Sequence, residues 1–140
     1  MLSLHLVIDT NVVVSAALKP DGLERVVFLV AITKPARWYV SRSILQEYTD
    51  VLTRPELKIR KGSRLQLLQL IRNRSHLVTP SRRLDVTRDP GDNVFVECAD
   101  AARADYLVTG NRKNFPEFWK TTKVITPRDF LDLIAPHLVG

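Results

Sequence analysis

Short apolar runs rich in β-branched and aromatic residues alternate along this chain with longer segments of helical periodicity, and that alternation leaves few folds open. Leu4–Ile8 is a compact strand candidate that ends abruptly at Asp9. Trp38–Val40, Tyr106–Val108 and Val124–Ile125 read as further strands, and Leu77–Val78 as a brief edge strand. Between them, helices are expected over Thr10–Leu18 and Leu23–Thr33, separated by the turn Lys19-Pro20-Asp21-Gly22. Ser41 or Ser43 caps a helix that Pro55 stops near Thr53. Ser63-x-x-Gln66 is a capping box opening another helix, with Leu65, Leu68 and Ile71 facing inward. Pro80 to Gly91 is irregular and polar, and from Asp92 the run NVFVECADAARA reads as a largely buried helix. Thr126 as N-cap, Pro127 at N1 and Asp129 at N3 open the last helix. Strands separated by helices imply parallel pairing through right-handed crossovers. The expected fold is a three-layer α/β/α sandwich around a central, mainly parallel sheet, with residues 1–140 as one domain.

Several function classes fall away on composition. Cys98 is the only cysteine, so neither an intrachain disulfide nor a Cys-rich zinc site is available. His5, His76 and His137 are scattered and lack ligand spacing, which leaves Ser-His-Asp and Cys-His catalysis little to stand on. The opening MLSLHLVIDTN has no basic n-region and no long apolar stretch, so a signal peptide is not expected. Nor does any uncharged apolar run approach the roughly 20 residues a bilayer requires. A reduced, cytoplasmic setting is the expectation. Lys and Arg number 21 against 15 Asp and Glu, a net charge of +6. That excess lowers the cost of approaching a polyanion such as nucleic acid.

Ligands in open α/β sheets bind beyond the carboxyl ends of the strands, at the switch point of strand order. Asp9 stands at such an end, and the loop Thr109-Gly110-Asn111 ends another strand. Taken alone, Asp9 reads first as an N-cap for the helix at Thr10. A haloacid-dehalogenase-type phosphatase requires a second Asp two positions on, where Asn11 stands, and the acidic pair and late Lys of a response-regulator receiver are missing. Glu47 borders the apolar stripe of Ile44, Leu45, Tyr48, Val51 and Leu52, roughly 100° from its centre, and reads either as a half-covered rim carboxylate or as a solvated residue like Asp50. Asp92, in the cluster Asp89-Pro-Gly-Asp92-Asn93, reads as a site acid or as another N-cap. Glu97 and Asp100, with Arg103, read as the solvated strip of their helix. Three acids converging at one sheet end repel each other unless a cation lies between them. Oxygen donors without His or Cys suit Mg²⁺ or Mn²⁺, ions that support phosphodiester hydrolysis.

These stretches resemble the PIN-domain family, and in particular its VapC-like toxin branch. VIDTNVVVSAAL, VSRSILQEYTDVLTRPEL, RDPGDNVFVECADAARADYLVTGNRKNFP and VITPRDFL follow in the family's order and spacing over nearly the whole chain. The resemblance carries the family's first acid onto Asp9, its helix acid onto Glu47 and its third acid onto Asp92, with Ala99 as the small residue seven positions on. It implies a Mg²⁺- or Mn²⁺-dependent endoribonuclease acting on single-stranded RNA, a cognate antitoxin and a homodimer. The pattern is broken at the family's fourth acid, where Asn111 and Asn114 stand; an amide orients water but brings no charge.

Arg112 and Lys113, in the same loop, are the preferred RNA contacts, whereas Arg72 and Arg74 read as a solvated helix face. Arg54, Lys58, Arg60, Lys61 and Arg64 make a further basic stretch, and Phe118 and Trp119 are read as core rather than as base-stacking residues. A PIN-fold protein that binds RNA or a partner without cleaving is the alternative that the Asn at 111 keeps open. An enzyme acting on DNA or on a small phosphate ester is another.

Overall fold

The computed structural model describes residues 4–139, with the side chains of the final helix described through Ile134. Six strands, β1 (Leu4–Ile8), β2 (Ala36–Val40), β3 (Ser75–Leu77), β4 (Tyr106–Val108), β5 (Phe118–Trp119) and β6 (Thr122–Ile125), form one sheet in the order β3-β2-β1-β4-β6-β5. All pairings are parallel except the β5–β6 hairpin. Strand order reverses at β1, which has β2 on one side and β4 on the other. The helices are α1 (Thr10–Leu18), α2 (Leu23–Ala31), α3 (Arg42–Leu52), α4 (Lys61–Arg74), α5 (Asn93–Ala102) and α6 (Pro127–Val139). Among the described residues none is long and apolar enough to cross a membrane.

Consecutive strand residues point to opposite faces, so burial of three in a row requires cover on both. Leu6, Val7 and Ile8 are all buried, as are Leu107 and Val108 beside them. The central strands are thus the middle layer of a three-layer sandwich, as the alternation implies. β2 lies further out: Ala36, Trp38 and Val40 are buried while Arg37 is exposed and Tyr39 half-buried. Trp38 meets Phe28 of α2 edge-on and Tyr48 of α3 at a tilted angle, with ring centroids 5.6 and 6.1 Å apart. Ile44, Tyr48 and Leu52, four apart, form the buried stripe of α3. Ser41 settles the choice of cap: its hydroxyl accepts from the Ile44 N–H. Thr126 caps α6 in the same way, accepting from the Asp129 N–H.

Five sequence expectations shift. α2 ends at Ala31 rather than Thr33, whose hydroxyl turns back onto the Leu29 carbonyl. α4 begins at Lys61, so Ser63 lies inside its first turn and is no cap. Leu65 is exposed, because the buried stripe is centred on Leu68 and Ile71, and Leu65 stands about 120° round from Ile71. β3 covers Ser75–Leu77 rather than Leu77–Val78, since its place is set by pairing with Trp38–Val40 and not by its own apolarity. The hairpin strand β5 has no strong strand signal: its turn residue Lys120 takes a positive φ of 52° without the usual Gly or Asn. Phe118 on it is exposed and is not the core residue expected, whereas Trp119 is half-buried and packs against the core.

Phe95 of α5 is fully buried against the sheet. Replacing it with Ala is expected to destabilise the protein by about 3–5 kcal/mol, through lost burial plus the cavity left behind. Urea unfolding checks this, and a loss under ~1 kcal/mol would show that the α5–sheet interface is not the packed core described.

Candidate active site

Asp9 follows β1 directly and is only 5% exposed. Its N–H donates to the Val108 carbonyl, which fastens the end of β1 to β4. Its Oδ2 accepts from the Thr109 hydroxyl at 2.7 Å and from the Asn11 amide at 3.2 Å. No capping hydrogen bond runs from this side chain to α1, so the simple N-cap reading fails. Burial pushes the Asp9 carboxyl up to about 6; the Thr109 hydrogen bond opposes this, and the negative charges of Asp92 and Glu47 add to it.

Glu47 sits half-buried on α3, and Thr10, the first residue of α1, donates its hydroxyl to Oε2. Burial raises its pKa, the Thr10 bond lowers it, and Asp92 and Asp89 raise it further. The rim reading of Glu47 therefore holds, while Asp50 is exposed as expected. Asp92 ends a short 3-10 turn, Pro90–Asp92, and precedes α5 without making a cap hydrogen bond. It too is raised by burial first and then by Asp89, against the Asn114 amide, which reaches it at 3.5 Å. Asp9, Glu47 and Asp92 come from three separate segments, yet each side chain is placed to feel the charge of another acid.

The segment before Asp92 is tied down by the helix that follows it. Asn93, buried at the start of α5, accepts three hydrogen bonds on one oxygen: from the N–H groups of Val86 and Thr87 and from the Thr87 hydroxyl. Glu97 accepts from the Leu84 N–H at 2.9 Å. Asp100 takes Lys120 at 2.8 Å, Trp119 Nε1 at 3.1 Å and Arg82 at 3.4 Å. Lys120 above all holds the Asp100 carboxyl well below the usual range, against a smaller opposing effect of burial. The strip of Glu97 and Asp100 is consequently not a solvated face. It anchors a loop and a hairpin, and helical periodicity alone carries no sign of those distant partners.

Around the loop after β4, Asn111 is exposed and donates its backbone N–H to the Thr109 hydroxyl. The amide that touches a site acid belongs to Asn114 instead. Arg112 and Lys113 are exposed in the intervening 3-10 turn, Arg112–Asn114. Thr10, Asn11 and Thr109 hold the acids, a role that their sequence positions do not by themselves reveal. Their hydroxyl and amide groups beside the acids are the signal that points to them.

Among the described residues, no three His, Cys, Asp or Glu side chains gather closely enough to form a ready-made metal cage. Mg²⁺ keeps several of its waters and is commonly held by one or two carboxylates, so an open set of oxygen donors is compatible with it. The three acids share an upward shift whose first cause is burial and to which neighbouring carboxylates add.

A family model described as "PIN domain" matches residues 5–113. The chain belongs to the PIN-domain family. Nuclease activity is the family's general property. The matched span of this PIN domain includes all three acids and stops one residue before Asn114. Uncharacterized protein MJ1680 of Methanocaldococcus jannaschii is 27% identical over 143 residues, covering 94% of this chain and 92% of its own. A chain of the crystal structure of VapBC2 from Rickettsia felis, bound to a DNA fragment from their promoter, superposes with a TM-score of 0.60 at 18% identity. That alignment covers 88% of this chain and 98% of the other, and it shows the fold.

The Asp9 carboxyl gives a pH prediction whose sign can be worked out. With a folded-state pKa near 6 and an ordinary value of 3.8, the folded protein keeps a proton that the unfolded chain releases across that window. Stability is therefore lost as pH rises from about 4 to about 6, by about 2 kcal/mol. Urea midpoints in EDTA at the two ends of the window, compared with those of Asp9→Asn, check this. Identical pH dependence in the two proteins would rule it out.

Proposed function

We propose that this PIN domain, comprising residues 1–140, is a Mg²⁺- or Mn²⁺-dependent endoribonuclease that hydrolyses phosphodiester bonds in single-stranded RNA, acting as the toxin of a toxin–antitoxin pair. The observation that carries the reading is the set of Asp9, Glu47 and Asp92. Three acids from separate elements are half or fully buried, Asp9 directly where strand order reverses, with burial raising all three and the charges of Asp92 and Glu47 adding to the shift of Asp9. A structural role does not require such an arrangement. The +6 charge of the chain suits a polyanionic substrate.

Asp9, Glu47 and Asp92 would hold the ion. When bound, it supplies Lewis acidity at a phosphoryl oxygen and lowers the pKa of water. Thr109 and Asn11 fix the Asp9 carboxylate, and Thr10 fixes that of Glu47. Asn114 and Asn111 offer amides to orient water, and exposed Arg112 and Lys113 offer charge to flanking phosphates. The superposition on the Rickettsia felis VapBC2 chain supports a cognate antitoxin as partner, and the toxin reading adds a homodimer and a cytoplasmic location.

One observation favours a second reading, a PIN-fold protein that binds RNA or a partner without cleaving. Asn111 and Asn114 bring no charge, and the three acids form no closed cage.

Purified protein given a labelled single-stranded RNA is expected to cleave in Mg²⁺ or Mn²⁺ and not in EDTA. Asp9→Asn and Asp92→Asn, prepared identically, should each lose at least about 100-fold. The thermal midpoint of Asp92→Asn should be unchanged or raised, because a repulsive charge is removed. An unfolded Asp92→Asn would make Asp92 a structural cap, and a folded, antitoxin-free protein inert in both metals would favour the non-cleaving binder.

A further inference from the structure

An open cleft of about 250 Å³ is lined by Asn11, Val12, Ser15, Glu24 and Gly110, and Asn11 is hydrogen-bonded to Asp9. Drug-sized pockets run to roughly 300–1,000 Å³, so this one suits a single flat ring system better than a larger ligand. Asn11 and Ser15 are four apart on α1 and share a face, buried Val12 supplies an apolar floor, and Glu24 enters from the first turn of α2. Gly110 presents only backbone: a Cβ there would lie 3.4 Å from the Asn11 side chain.

Asn11 joins the cleft to the site. Its amide donates to Asp9 Oδ2, while its oxygen accepts from the Gly110 N–H at 3.0 Å. A group in the cleft and a phosphate at Asp9 are therefore next-door neighbours. Among the described residues, neither the Ser15 hydroxyl nor the Glu24 carboxylate has a hydrogen-bond or ion-pair partner. A free carboxylate beside the path of a polyanion repels it unless it meets donors on the ligand. Unstacked bases of single-stranded RNA offer such donors on their Watson–Crick edges. Guanine alone presents two adjacent ones, N1–H and N2–H₂, which match the two oxygens of a carboxylate, with an O6 acceptor beside them for a hydroxyl.

We propose that this cleft is a nucleobase subsite that selects guanine next to the cleaved phosphodiester, with Glu24 accepting from N1–H and N2–H₂ and Ser15 donating to O6. The proposal rests on the nuclease reading only for where the RNA backbone lies. Glu24 also favours the dipole of α2 as an acid in its first turn, but that role is indifferent to the identity of a base.

The test uses U-rich octaribonucleotides carrying a single central guanine, inosine or adenine. Binding is followed by fluorescence anisotropy in Ca²⁺ and cleavage in Mg²⁺, for the wild type and for Glu24→Gln. Guanine is expected to bind about 10- to 100-fold tighter than adenine, with inosine, which lacks the N2 amino group, between them. Glu24→Gln should flatten the series while leaving adenine affinity and the thermal midpoint in place. Equal affinity for guanine and adenine in the wild type, a guanine preference that survives Glu24→Gln, or no binding of any of the RNAs would each overturn the subsite. Cleavage without base preference sinks the subsite and leaves the nuclease standing; base preference without cleavage does the reverse.

Discussion

A carboxylate at the end of a strand buried on both faces has little water left to solvate it, and the molecule is arranged around that fact. Asp9 is held at the reversal of strand order by the Thr109 hydroxyl and the Asn11 amide. Those bonds offset part of the desolvation but not all of it, and its pKa stays high. The same two partners fasten the loop after β4 to the start of α1: Thr109 also accepts from the Asn111 N–H, and Asn11 also accepts from Gly110. Holding one acid thus orders both lips of the crevice.

Bringing the second and third acids to that crevice makes different demands. Glu47 is delivered by α3, whose register is fixed on its inner side by Tyr48, and the Tyr48 hydroxyl donates to the Ile8 carbonyl one residue before Asp9. Neighbouring residues of one helix therefore reach neighbouring groups at the end of β1. Asp92 instead arrives at the end of a long irregular segment. Its position depends on Asn93, Glu97 and Asp100, which gather the N–H groups and cations of residues 82–87 and of the β5–β6 hairpin. Polar residues of α5 that look like a wet face are what keeps that segment in one place.

The boundary of the family match is informative in this light. Residues 5–113 include the acids and both exposed cations of the site loop, whereas Asn114, the hairpin and α6 lie beyond it. Those later elements serve the matched part: Asn114 meets Asp92, Trp119 and Lys120 meet Asp100, and β6 covers the outer edge of β4.

By itself the sequence determined the layers, the parallel order of short strands, and which acids stand at strand and helix ends, because periodicity and punctuation are local. Leu6–Ile8 and Tyr106–Val108 are apolar enough to be read as buried strands, and Asp9 is visible as the residue that breaks the first. Glu47 is legible as a residue at the border of the α3 apolar stripe, but its half-buried place on the rim comes from the packed structure. Tertiary structure alone decided what the partners are. That Asn114 rather than Asn111 reaches Asp92, that Glu97 and Asp100 are anchors, that Ser75–Leu77 is a strand and that Leu65 faces outward all depend on groups distant in sequence. A hydrogen bond between residues far apart leaves no period in the chain, whereas a buried face does.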